Sequence, residues 1–226
     1  MFNSAAASYI RANKIITFGQ DEKWRQAAAD SIEVKSDNDK ILDICTGTAD
    51  LALKIARKFP RLKIYALDYS PDMLAVAGKM AARYGLHNII FKEGDCLNME
   101  FDSDYFDYVT ISFGFRNLSY SRDNLTNALK EVYRILKKGG RFIIIETSHP
   151  LNRFLRGIFH FYAARIIPLL GEILSGEPMP YAYLGSSILR FFNRDELIRA
   201  VESTGFKKER IRPFMFGAIL LCVFQK

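Results

Sequence analysis

The sequence predicts an α/β fold built on an open, doubly wound, mostly parallel sheet. From Lys40 onward, short β-rich runs alternate with helical patterns, which is the signature of successive β-α-β units. Polar residues (Asp43, Asp68, Asp95, Ser112 and Glu146) follow the apolar part of five successive predicted strands. The chain closes on two β-rich runs joined by a short connection, which predicts an antiparallel pair at one sheet edge.

The elements follow in order. KILDIC is the first strand and LALKIARKF the first crossover helix; LKIYALD and PDMLAVAGKMAARYG repeat the unit. NIIFKEGD, FDYVTISF and RFIIIET supply three more strands, and a charged helix from Asn124 to Leu136 is expected to end at Gly139 and Gly140. After Pro150 comes an aromatic helical stretch, LNRFLRGIFHFYAARIIPLLGEILSG, then a turn-rich stretch holding Tyr181 and Tyr183, then a helix near Asp195 to Ser203. Strands near Lys207 to Ile211 and Phe214 to Phe224 complete a seven-stranded sheet with an antiparallel C-terminal strand. The expected organisation is one domain over residues 1–226, with a helical N-terminal lid (1–35) and a helical insertion on the substrate side (151–190).

Composition narrows the class. The 226 residues are 49% hydrophobic, without repeats or low-complexity tracts, as a folded chain with a proper core should be. Cys45, Cys96 and Cys222 are too few and too scattered for a disulfide framework and form no CxxC pair, and the N-terminus lacks a secretory pattern. A cytoplasmic protein with no metal site is expected. The net charge of +7 favours an anionic partner surface only weakly, because most surface charge serves solvation.

Ligands of doubly wound sheets bind outside the carboxyl ends of the strands. The turn after the first strand, Asp43-Ile44-Cys45-Thr46-Gly47-Thr48-Ala49-Asp50, has one glycine where a dinucleotide fingerprint needs three, and its carboxylate would repel a diphosphate. The expected ligand carries positive charge, and S-adenosylmethionine fits. Asp43, Gly47 and Thr48 form the turn, with exposed backbone N–H groups there for the ligand carboxylate. Asp68, about 20 residues past the glycine, is placed to accept ribose hydroxyl protons. The alternative role for Asp68, an N-cap of the helix opening at Pro71, is better filled by Ser70. Asp95 and Cys96 lie where an adenine edge would reach, although Asp95 also suits a turn and Cys96 a packing site.

The chain also resembles the ubiquinone and menaquinone biosynthesis C-methyltransferases nearly end to end. The resemblance rests on MFNSAAASYIRANKIITFGQDEKWR, ILDICTGTADLAL, TISFGFRNL, YRILKKGGRFIIIETSHP, FYAARIIPLLGEILSG and YAYLGSSILRF, of which TISFGFRN is the most diagnostic. It implies a Rossmann-like class I methyltransferase fold and cofactor contacts at Thr48, Asp68, Asp95, Cys96 and Ser112. It also implies methyl transfer to a ring carbon of a polyprenylated hydroquinone, either a demethylmenaquinol or a ubiquinone precursor. Two positions depart from the pattern: Ile10, where the family usually has aspartate, and His149, where it usually has lysine.

Ring methylation needs an electron-rich ring, and a hydroquinone gains nucleophilicity when a hydroxyl of pKa ~10 loses its proton. Arg116 is the expected fixed cation for that oxyanion and Asn117 a hydrogen-bond donor, both in a turn after the fourth strand. Arginine is a poor base, so the candidate proton acceptors are His149, Tyr183 and a water. A lipid substrate further predicts docking on a membrane surface through Asn152 to Leu170, with the alternative that its aromatics line an internal prenyl channel. A homodimer is left open. Rivals are a small-molecule O- or N-methyltransferase and a non-catalytic subunit of the same fold. A nucleic-acid partner is not expected, since no NPPY-like or DPPY-like tetrad follows the fourth strand.

Overall fold

The computed structural model describes residues 14–119, 121–175 and 178–226. Seven strands form one sheet: β1 (Ile41–Ile44), β2 (Ile64–Asp68), β3 (Ile89–Glu93), β4 (Phe106–Ser112), β5 (Leu136–Thr147), β6 (Lys207–Phe214) and β7 (Ile219–Gln225). Their order is β3-β2-β1-β4-β5-β7-β6, with β1 to β5 parallel and β7 antiparallel to both its neighbours. The chain winds outward from β1 to β3, then restarts beside β1 at β4. The crevice between the carboxyl ends of β1 and β4 is therefore the switch point at which ligands of such sheets bind.

The strand period of two sorts the apolar residues into two cores. On β5, Phe142 and Ile144 join one layer while Ile143 and Ile145 join the other, and β7 divides in the same way between Leu220, Cys222, Phe224 and Ile219, Leu221, Val223. The second layer is covered by α1 (Asp21–Asp30) and α2 (Asp50–Lys58), with Ala77 and Ala81 of α3 (Pro71–Arg83). The first is covered by α5 (Arg122–Ile135) and α9 (Arg194–Glu202), while α4 (Phe115–Leu118) follows β4. The edge strand β6, KKERIRPF, is mostly exposed, and its charges discourage pairing with another sheet.

A third layer lies across the carboxyl edge. It consists of α6 (Arg153–Phe161), a π-helical turn (Tyr162–Ile166), α7 (Ile167–Ser175) and α8 (Pro178–Arg190), with a small core of Ile16, Ala163, Ile167, Tyr181 and Ile188. Close packing there requires Gly171 and Gly185. A Cβ on Gly171 would lie 2.0 Å from Tyr181 Cγ, and one on Gly185 would lie 2.3 Å from the Ala163 carbonyl oxygen.

Several sequence expectations change. The stretch holding Tyr181 and Tyr183 is helix α8 rather than turns, because its apolar residues pack against α7 and the π turn. Arg116 and Asn117 sit in the short helix α4 rather than a turn. The charged helix ends at Ile135, where Leu136 goes straight into β5, so Gly139 and Gly140 interrupt a strand instead of capping a helix. A Cβ on Gly140 would lie 2.8 Å from the Lys137 carbonyl oxygen. The last strand starts at Ile219, after a 3-10 turn over Met215–Gly217.

Candidate active site

A cavity of about 910 Å³ opens at the switch point, between the ends of β1, β2 and β4 and the helical layer. Its polar end is built from strand termini. Gly47 takes a left-handed φ of 56°, and a Cβ there would meet no protein atom, so the turn leaves open space beside its backbone. Asp68 holds that turn in place: Oδ2 accepts the Gly47 N–H at 2.7 Å and Oδ1 accepts the Ser70 N–H at 3.0 Å. Ser70 Oγ in turn accepts the Met73 N–H at 3.4 Å, so Ser70 is the cap of α3, as its place before Pro71 predicts. A carboxylate offers about four lone-pair sites, so two backbone bonds leave Asp68 with capacity for a diol.

Asp95 and Cys96 lie on the same wall. Asp95 Oδ1 accepts the Leu97 N–H at 2.9 Å in a turn, and Cys96 is largely buried, so each also plays its local structural role. Thr48 is on the wall, with its hydroxyl donating to Asp50 Oδ2 at 3.1 Å. Ser112, at the end of β4, accepts a hydrogen bond from Arg25 Nε at 3.2 Å.

Asp43 does not reach the cavity wall. Its two oxygens are committed inside the fold, Oδ1 to the Thr110 hydroxyl and Oδ2 to the Thr46 hydroxyl, each at 2.6 Å. Burial pushes its carboxyl up to about 6, against the pull of the two threonine hydrogen bonds. Asp43 ties β1 to β4 and to the turn, and its contribution to the site passes through Thr46.

Arg116 and Asn117 are on the cavity wall, at the end facing the helical layer. Arg116 Nη1 donates to Glu146 Oε1 at 2.7 Å, and both side chains are buried. Glu146 further accepts the backbone N–H groups of Arg116 and Thr147, so the pair fixes α4 against the end of β5. Arg116 Nε is buried without a partner among the described residues. The expected fixed cation is thus half of an ion pair, held in place by Glu146, that retains an unmet donor.

His149 and Tyr183 are not on the wall. His149 Nε2 donates to the Phe191 carbonyl at 2.8 Å, since a carbonyl can only accept, and its Nδ1 lies 3.0 Å from His160 Nε2. The imidazole is therefore spent on joining β5 to α6 and to the end of α8. Tyr183 lies on a different flank of α8 from Leu184 and Ile188, which do face the cavity, because successive helix residues are about 100° apart. Ile10 lies outside the described residues.

Arg25 is the site residue that sequence patterns missed. Besides Ser112 it contacts Asp21, through Nη1, and Asp50, at 3.6 Å, and its guanidinium sits 5.4 Å from the Phe113 ring centre. The bond to Ser112 spans 87 positions, and the only local hint is Asp21 one helical turn earlier. Farther out the wall turns apolar, with Ile16, Leu155, Phe159, Tyr162, Leu184 and Ile188. At the mouth, Phe18, Met215 and Phe216 also line the cavity yet expose much of their surface, Phe216 79% of it.

With this geometry in view, relatives identify the chain. The model of the ubiE/COQ5 methyltransferase family matches residues 1–226. The demethylmenaquinone methyltransferase of Geobacillus stearothermophilus is 36% identical over 218 residues, 96% of this chain and 91% of that protein. The ubiquinone/menaquinone biosynthesis C-methyltransferase UbiE of Geotalea daltonii is 34% identical over 219 residues, with the same coverage of 96% and 91%. Among solved structures, a SAM dependent methyltransferase from Aquifex aeolicus matches with a TM-score of 0.65 at 16% identity, covering 95% of this chain and 96% of that one, a likeness of fold alone. The chain is a methyltransferase of the ubiE/COQ5 methyltransferase family.

Proposed function

We propose that this methyltransferase transfers the methyl group of S-adenosylmethionine to a ring carbon of a polyprenylated hydroquinone of the demethylmenaquinol class. The observation that carries the reading is the two-ended cavity: strand-end carboxylates and backbone at one end, a long apolar wall at the other, and a buried arginine between them. The polar end fits the cofactor. Asp68 has lone pairs for a ribose diol; Gly47 leaves open space beside the turn, although its N–H is held by Asp68; Asp95 and Cys96 stand where a base edge would pack; and Thr48 and Ser112 add hydroxyls. The bound cofactor supplies a methyl group already activated by its sulfonium.

The protein then has to position the ring, favour its oxyanion and exclude water. Arg116 and Asn117, both on the cavity wall, stabilise the hydroquinone oxyanion, while Glu146 holds the guanidinium in place. Arg25 is a positioning residue that orients Ser112. Neither His149 nor Tyr183 touches the cavity, so of the three candidate acceptors a water at the cavity takes the hydroxyl proton. Residues 14–25 and the helical insertion 151–190 form a lid over the ring, sealing it with Ile16, Trp24, Phe159 and Tyr162.

A bilayer-resident substrate calls for docking. The helical stretch Arg153–Leu174 is long and apolar enough to cross a membrane, yet it carries Arg153, Arg156 and Arg165, which suits a helix lying along the surface. Its apolar and aromatic residues serve both ends of the route: Leu155, Phe159 and Tyr162 line the cavity, while Phe154 and Phe161 face solvent at 75% and 62% exposure. We place the protein peripherally on an anionic membrane surface. The test is incubation with S-adenosylmethionine and vesicles carrying demethylmenaquinol, followed by mass spectrometry of the lipid. A methylated quinol is expected; an unmodified quinol alongside measurable cofactor binding would overturn the substrate assignment.

A further inference from the structure

The cavity wall carries a pair of thiols that methyl transfer does not use. Cys45 follows β1 and Cys96 follows β3, and their Sγ atoms stand 3.9 Å apart across the polar end of the cavity. Cys45 holds a left-handed φ of 50°, unusual for a residue with a side chain. A Cβ on Gly114 would lie 2.6 Å from Cys45 Cβ, so the turn after β4 closes on Cys45 from the side and leaves it little room to withdraw. The third cysteine, Cys222, is fully buried on β7, away from the wall.

We propose that Cys45 and Cys96 are a redox site that closes to a disulfide when the cavity meets a quinone, and that the closed form binds the cofactor more weakly. The choice of oxidant rests on the hydroquinone reading above. Methyl transfer needs the reduced ring, so a quinone in the cavity is an unproductive ligand but a competent oxidant. Two S–H bonds break and one S–S bond forms; two electrons and two protons pass to the quinone, whose carbonyls become the hydroxyls of the hydroquinone. A disulfide bond of about 2.05 Å requires the sulfurs to approach by about 2 Å. Cys45 is bonded directly to Thr46 and precedes Gly47, and Cys96 follows Asp95, so the approach draws together two turns that face the ligand.

The hydrogen bond from Cys45 to Cys96 and the burial of Cys45 hold its thiol pKa well above the ordinary value. The Cys45 thiolate is therefore scarce near neutral pH, and attack by Cys45 should quicken as pH rises.

The experiment uses the full chain, duroquinone and no added thiol. A fully substituted quinone is chosen because it has no open ring carbon to trap a thiol. Remaining thiols are alkylated in denaturant and mapped by peptide mass spectrometry, while calorimetry follows S-adenosylmethionine binding. The expected result is a Cys45–Cys96 cross-link with Cys222 alkylated, together with affinity about tenfold weaker that dithiothreitol restores. In Cys45→Ala, whatever its starting affinity, duroquinone should cause no further loss. Alkylation of all three cysteines after duroquinone overturns the proposal, and so does a cross-linked protein that binds the cofactor as tightly as the reduced one. The cross-link with its affinity loss, found in a protein that fails to methylate any hydroquinone, would support the redox site and remove only the substrate reading.

Discussion

The polar end of the cavity and the helical layer above it are built on different terms. At the polar end, acidic residues at or near the ends of three strands are tied to their neighbours by hydrogen bonds: Asp68 to Gly47 and Ser70, Asp43 to Thr46 and Thr110, Glu146 to Arg116 and Thr147. The helical layer has few such bonds toward the cavity. It presents apolar side chains to the cavity, its own core is small, and α6 has no fully buried residue. Rigid polar geometry suits a cofactor of fixed shape. An apolar wall with few hydrogen-bonding groups suits a long, flexible chain entering from a bilayer.

If that contrast is right, the largest loss of stability should come from the polar end. Glu146→Ala strips Arg116 of its buried counter-charge and should destabilise the fold by about 3–5 kcal/mol, whereas Phe154→Ala on α6 should stay within about 0.5 kcal/mol. Urea denaturation of both variants checks this. Equal costs would erase the distinction.

Next in size is a pH effect from Asp43. Its folded pKa, raised by burial to about 6 from an ordinary 3.8, means that the native state holds the proton more tightly than the unfolded chain. Asp43 therefore lowers stability as pH rises from about 4 to about 6, by up to about 3 kcal/mol, and the loss then stays constant at higher pH. In Asp43→Asn this contribution disappears. The stability of the wild type relative to the variant should fall across that window, and a flat difference between pH 4 and 7 would contradict the burial argument.

Asp68→Ala should weaken S-adenosylmethionine binding by about 1.5–3 kcal/mol for each charge-assisted ribose bond lost, as read by titration calorimetry. Arg116→Lys sharpens the comparison from the other side. Cofactor affinity should hold while turnover falls by about 10²-fold, because an ammonium cannot both pair with Glu146 and keep a second donor on the ring oxygen. Parallel losses of affinity and turnover would place Arg116 with the cofactor.

The smallest effect belongs to the outer face of α6. Replacing Arg153 and Arg156 with glutamate should abolish salt-sensitive sedimentation with anionic vesicles, at about 1 kcal/mol per cation removed, while leaving cofactor binding intact. Vesicle binding that ignores both salt and charge reversal would assign the segment an internal role alone.

The same contrast explains what the sequence could disclose. Strands β1 to β5, the cap at Ser70 and the placement of Asp68, Asp95 and Ser112 at strand ends all follow from local periodicity and turn chemistry, and the structure brings those three residues to one cavity. Partnerships between distant residues do not follow from it. Arg25 meets Ser112 and Arg116 meets Glu146 only after the sheet has formed, so local patterns indicate neither Arg25 nor the carboxylate that fixes Arg116. Asp43 sits one pleat away from the crevice, a choice of face that the turn sequence does not reveal, and His149 is taken up by a carbonyl from the end of α8. In the helical layer, helix α8 was legible only as turns, because its glycine and prolines mask a pattern that packing against α7 enforces.

The most direct test of the assignment is the position of a trideuterated methyl group, supplied on S-adenosylmethionine, in demethylmenaquinol after turnover. Transfer to a ring carbon leaves both hydroxyls free, so the labelled product should reoxidise cleanly to a quinone that retains the label and lacks the ring proton in its NMR spectrum. A labelled product that resists reoxidation would be a methyl ether, and would show that this cavity directs the methyl group to oxygen instead of carbon.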